Sequence, residues 1–151
     1  MRFGKILFLA VICALGSCSF LSNDKEFRFD KFEDIPKDEG ISTWIPNFMP
    51  TDAHQIVLVG NLDLNTIFGT YLSETAINQS TDLTRIKISE LSAEEVKKLK
   101  HGLQSNIEQS QIYCSKFEEE VVIVEPSLMK VTFFSDKFIE SGLCNHRPNL
   151  H

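Results

Sequence analysis

The side chains best suited to chemistry in this chain are its four cysteines and four histidines, and their spacing restricts what they can do. Cys114 and Cys144 lie too far apart in sequence for the close Cys-x-x-Cys pair at a helix start that redox catalysts use. His146 and His151 follow Cys144 and suggest a metal site, but three candidates in a chain tail make a poor closed set of ligands. His54 and His101 are isolated. Asn61, Asp63 and Asn65 have the alternate spacing of a calcium loop, yet Thr66 stands where a glycine is needed and Leu72 where the closing glutamate belongs, so a hairpin turn is predicted there. Hydrolysis built on paired carboxylates would draw on residues such as Asp52, Asp63 and Glu74, brought together from distant positions. No Gly-x-Ser-x-Gly elbow, His-Glu-x-x-His helix, phosphate-cradling loop or dinucleotide fingerprint occurs. The expectation is no catalytic residue, no cofactor and no bound metal.

Cys18 stands in a different setting. Arg2 and Lys5 form a short positive region, Ile6 to Leu15 (ILFLAVICAL) is an unbroken apolar run, and the small residues Gly16 and Ser17 lead into Cys18. That is the layout of a secretory signal, and the run falls short of the roughly 20 apolar residues that a permanent helical span requires. At Leu15-Gly16-Ser17-Cys18 the segment resembles the lipobox of bacterial lipoproteins. The resemblance implies that the Cys18 thiol takes a diacylglyceryl group, that residues 1–17 are removed as a signal peptide, and that the new amine is acylated. Two or more acyl chains anchor stably because each buried methylene contributes about 0.8 kcal/mol. The bystander Cys13 would leave with the signal. Ser19, in place of Asp after the cysteine, implies a lipid-anchored position in the cell envelope, on the outer membrane facing the periplasm in a Gram-negative cell. The alternative is an ordinary signal peptide cut at another small residue. With Cys13 lost and Cys18 lipidated, Cys114 and Cys144 remain as an even pair in an oxidising compartment and are expected to form a disulfide worth roughly 3–4 kcal/mol.

The elements that must carry these residues follow from periodicity. Residues 18–40 read as a lipidated N-terminus and tether, polar and ended by Pro36 and Gly40, although Phe27 and Phe29 alternate with charge as an edge strand would. Residues 41–151 read as one α+β domain. It opens with Trp44-Ile45-Pro46-Asn47-Phe48-Met49-Pro50, where two prolines forbid a continuous helix. Trp44, Phe48 and Met49 form either an interaction patch or a cap on the open end of the core, and the cap is favoured because large apolar groups usually go inside. The text WIPNFMPTDAHQIVLVGNLDLN resembles a segment of small uncharacterised bacterial lipoproteins and implies no activity. Strands are predicted at Gln55–Val59, Thr66–Leu72, Thr84–Ser89, Ile112–Ser115, Glu120–Glu125 and Leu128–Ser135. Val121 to Val124, apolar throughout, marks a central strand covered on both faces. Ser92 and Glu95 make a capping box, after which Val96, Leu99, Leu103 and Ile107 form one apolar stripe. The fold class is α+β, a mainly antiparallel sheet of about five to six strands with one amphipathic helix packed on it.

A chain of 151 residues can bury one core, and 21 acidic against 15 basic groups give it a net charge of -6. Such a surface lacks the clustered Lys and Arg that release counterions from a phosphate backbone, which argues against a nucleic-acid partner. Two function classes remain. One is a lipid-anchored envelope protein acting as a non-catalytic binding or assembly module, with the membrane and an envelope protein as partners; the other is a small envelope hydrolase or ligand-binding enzyme. If Cys18 is the anchor, Cys18→Ala abolishes palmitate labelling and releases the protein from membranes; a variant that stays in the membrane fraction contradicts the lipobox reading.

Overall fold

The computed structural model describes residues 24–37, 40–61, 63–75, 77, 83–103, 107–115, 120–135 and 143–144. The signal stretch 1–17, Cys18 with its lipobox, and His146 and His151 lie outside the described residues. Among the described residues seven strands form: β1 Asp24–Lys31, β2 His54–Asn61, β3 Thr66–Leu72, β4 Leu83–Ile86, β5 Gln111–Ser115, β6 Glu120–Glu125 and β7 Lys130–Ser135. The α-helix among the described residues, α1 Ala93–Leu103, lies between β4 and β5. The expectation of five to six strands is corrected to seven by Asp24–Lys31, which falls in the stretch read as a tether. This strand (DKEFRFDK) half-buries only Phe27 and Phe29 and leaves its charged residues exposed. Charge on an edge strand discourages pairing with another chain, and it also disguises the strand as linker.

Local chemistry sets the boundaries. The predicted strand at 84–89 stops at Ile86, because Ile88–Glu90 turns into a 3-10 helix whose Glu90 carboxylate accepts from the Lys87 amide at 3.4 Å. The last strand begins at Lys130 because Met129, with φ of 50°, is left-handed and closes the turn over Pro126–Leu128. At the start of α1 the Ser92 amide donates to the Glu95 carboxylate at 2.6 Å and the Glu95 amide to Ser92 Oγ at 3.2 Å, the reciprocal pair expected of a capping box.

The strands lie in the order β1-β2-β3-β7-β6-β5-β4, every neighbour antiparallel. The pairing of β3 with β7, with Phe68 opposite Phe134 and Thr70 opposite Thr132, joins the N-terminal three strands to the C-terminal four. On one face Ile56, Leu58, Tyr71, Tyr113, Val122, Val131 and Phe133 are covered by Ile35, Ile41, Phe48, Met49 and Ala53 from the winding segment between β1 and β2. On the other, Ile112, Cys114, Val121, Ile123 and Phe134 are covered by Leu99 of α1, Ile107 and Leu143. Cys114 and Cys144 form a disulfide, Cα atoms 5.6 Å apart, which fixes the fully buried Leu143 on that second face.

Two glycines allow close approach. A Cβ on Gly69 would stand 2.3 Å from the Phe133 ring, and one on Gly60 2.3 Å from the Trp44 indole. Gly69→Ala is therefore expected to lower stability by about 1–3 kcal/mol through overpacking, read as a reduced midpoint in urea at unchanged slope. An unchanged midpoint would contradict the close packing of Phe133 on β3.

Candidate functional site

All strands end together, so the sheet has two rims. One carries Lys31, His54, Leu72, Lys130, Glu125, Gln111 and Ile86; the other carries Asp24, Asn61, Thr66, Ser135, Glu120, Ser115 and Leu83. Asp52 precedes β2 at the first rim, where its carboxylate forms a clasp. Ser73 Oγ donates to Oδ1 at 3.0 Å, and the Glu74 and Thr75 amides donate to Oδ2 at 3.1 and 3.0 Å. The Thr75 amide also reaches Ser73 Oγ at 3.0 Å, and the Ser73 amide donates to the Met129 carbonyl at 3.0 Å, tying β3 to the turn before β7. Burial raises the Asp52 pKa, but hydrogen bonds from Thr75 and Ser73 outweigh it and hold the carboxyl below its ordinary value. A carboxylate so held is a poor base, and its oxygens are already engaged. The clasp is a structural joint.

Of the other candidate carboxylates, Glu74 stands beside Asp52 and Asp63 does not. Glu74 contributes its amide to Asp52, while Asp63 lies in the turn at the opposite rim, about 25 Å away along an eight-residue strand. There Asn61 Oδ1 accepts from the amides of Asp63 and Leu64 at 3.1 and 3.0 Å, and Asn61 Nδ2 donates to Asp24 at 2.6 Å. Asn61, Asp63 and Asn65 thus build the β2–β3 turn, with Asn65 left-handed at φ of 48°. His54 places Nδ1 3.2 Å from the Asp52 carbonyl oxygen. Among the described residues no group of three His, Cys, Asp or Glu side chains converges to hold a metal.

The Trp44 segment divides. Phe48 and Met49 are buried, Phe48 edge-on to Phe133 at 5.7 Å, and both close the core. Trp44 stays half-buried over Gly60, edge-on to Phe27 at 5.7 Å, which lets the expected tether strand seat its aromatic ring. The two prolines prevent a helix here, and Pro46 is itself buried.

What sequence reasoning missed is the surface at the first rim. Leu128 and Met129, 58% and 55% exposed, project from the β6–β7 turn. Met129 borders a hollow of about 210 Å³ lined also by Ile77, Tyr113, Val124 and Val131. Beside the turn, a second hollow of about 480 Å³ crosses β1, β2 and β3, with Arg28, Asp30, Val57, Thr70, Leu72 and Lys130 around it. It lies where β2 bulges: the register shifts between His54 and Val57, and Gln55 adopts a left-handed φ of 49°. The covering helix shields β4 to β7 and Phe68 packs against that cluster, while Val57, Val59, Thr70 and Leu72 remain half-buried on this side. The signal for the turn was legible in Leu128 and Met129 after Pro126-Ser127; the hollow needed the β3–β7 pairing, which no local pattern specifies.

Fold and site together define an α+β protein built on one antiparallel sheet, with an apolar tip and an open half-face among the described residues. Residues 24–71, the stretch from β1 to β3, match the family model described as the YbbD head domain. Comparison with curated proteins and with solved structures gives no match.

The Asp52 clasp has a pH signature. Its folded pKa lies below the unfolded value, so its stabilisation is complete above the ordinary aspartate value of 3.8 and is lost as pH falls through the lowered one. Asp52→Asn is expected to unfold more easily near neutral pH and to show a flatter acid limb in its stability profile. An acid limb as steep as that of the wild type would contradict the clasp.

Proposed function

We propose that this protein is a lipid-anchored component of the bacterial envelope that works as a non-catalytic binding module, presenting the β6–β7 tip to a protein partner. The observation that carries this reading is the pair of exposed apolar side chains, Leu128 and Met129, on a turn that is hydrogen-bonded to the end of β3. The Met129 carbonyl accepts from Ser73, whose hydroxyl is fixed by Asp52. Exposed apolar residues on a preorganised turn lose little entropy on docking, the usual economy of a protein-binding tip. The hollow of about 480 Å³ beside the tip, edged by Arg28, Asp30 and Lys130, supplies a polar rim around half-buried Val57 and Leu72.

The envelope location rests on the signal layout before Cys18 and on the resemblance at Leu15-Gly16-Ser17-Cys18, and the YbbD head domain match over residues 24–71 supports an envelope-type protein. The disulfide between Cys114 and Cys144 fits an oxidising compartment. The hydrolase alternative is weakened by the clasp, which commits Asp52 to holding the β3 end, and by the separation of Asp63 from it.

The test is affinity purification of the lipidated, C-terminally tagged protein from gently solubilised envelopes, beside a Leu128→Asp, Met129→Asp double variant. The expected outcome is a stoichiometric protein partner that the variant loses while its melting temperature stays within a few degrees of wild type. A partner retained by the variant contradicts the tip as the docking site, and a wild-type preparation without any partner contradicts the binding-module reading.

A further inference from the structure

The length of the linkage between Cys18 and the fold restricts how the domain can stand on a bilayer. Six residue steps separate Cys18 from Asp24, which span at most about 22 Å when fully extended. Asp24 pairs with Asn61 and accepts a hydrogen bond from its side chain, so the tether enters at the rim that carries the β2–β3 turn. That turn holds Leu64, at 66% the most exposed of the large apolar residues described. Its direction is fixed by the Asn61 side chain, which accepts from the Leu64 amide. One residue pair inward, Trp44 lies half-buried over Gly60 and borders a hollow of about 250 Å³ at the same rim, shared with Thr43, Asn65 and Thr66. An amphipathic indole and an apolar turn residue at the tethered end are the groups that favour the headgroup layer of a membrane.

We infer that the β2–β3 rim is a membrane-facing surface: Leu64 and Trp44 rest in the headgroup layer of the phospholipid bilayer that holds the Cys18 lipid. This rests on the lipid-anchor reading. It fixes the opposite tip, Leu128 and Met129, about 25 Å farther along the strands and directed away from the bilayer. The neighbouring Asp24 and Asp63, with Glu120 in the same rim hollow, give anionic lipid no attractive charge, so the contact depends on the tether and on apolar insertion.

Trp44 is the sole tryptophan of the chain, so it reports on its own surroundings without any substitution. The lipidated protein is reconstituted into phosphatidylethanolamine and phosphatidylglycerol vesicles, some carrying lipids brominated near the headgroup, and its Trp fluorescence is compared with that of the Cys18→Ala form. Quenching by brominated lipid of the anchored form alone is the expected result. In parallel, Leu64→Cys and Met129→Cys variants are labelled with an environment-sensitive fluorophore without reduction, since the Cys114–Cys144 bond leaves the added thiol as the reactive one. Loss of aqueous quenching at position 64 with full quenching at position 129 supports the orientation. Equal aqueous quenching at both positions, or protection at 129 instead, overturns it even when the protein floats with the vesicles. Failure to float refutes the lipid-anchor reading itself, and the orientation with it.

Discussion

Strand β6 buries side chains on both faces of the sheet, and the rest of the molecule is arranged to keep them dry. Val121 and Ile123 point to one core, Val122 and Val124 to the other, and the first three of these have no measurable exposure. A strand of this kind can neither sit at an edge nor leave a face open, because its polar backbone must be paired on both sides and each apolar side chain, worth about 1.5–3 kcal/mol when buried, needs a cover. β5 and β7 supply the pairing. The segment between β1 and β2 covers one face; α1, Ile107 and the disulfide-held Leu143 cover the other. The β3–β7 pairing is the step that brings the N-terminal three strands under this shared cover.

Where one local rule dominated, the sequence was readable. The run Val121 to Val124 had no polar position and could only be central, and Ser92 with Glu95 specified a helix start that appears with both hydrogen bonds in place. β1 was obscured because its charges, which suit an exposed edge, are also those of a solvated linker; only the alternation of Phe27 and Phe29 betrayed it. The clasp was illegible for a different reason. Asp52 meets Ser73, Glu74 and Thr75 across more than twenty residues, a juxtaposition created by the register of β2 against β3. Phe48 and Met49 were ambiguous in sequence because an apolar pair between prolines suits a surface patch as well as a core lid, and the space above Phe133 decides for the lid.

The two rims give the molecule a polarity that matters for its proposed role. Asp24, Trp44 and Leu64 gather at one rim; the Asp52 clasp, the β6–β7 turn and the open hollow gather at the other. The same antiparallel register produces both, since it aligns the entry of β1 with the β2–β3 turn and sets the β6–β7 turn at the far end. At the outer rim, hydrogen bonds bridge elements distant in sequence, linking Asp52 with Ser73, Glu74 and Thr75 and Ser73 with Met129.

The central claim, that the outer tip meets a protein partner in the envelope, is tested most directly in intact cells by placing a photoreactive phenylalanine derivative at position 128 and, separately, at position 64. The expected result is a discrete protein adduct on irradiation from position 128 and no protein adduct from position 64. Protein adducts from position 64 with none from position 128 would contradict the account, because they would put the partner on the rim assigned to the membrane.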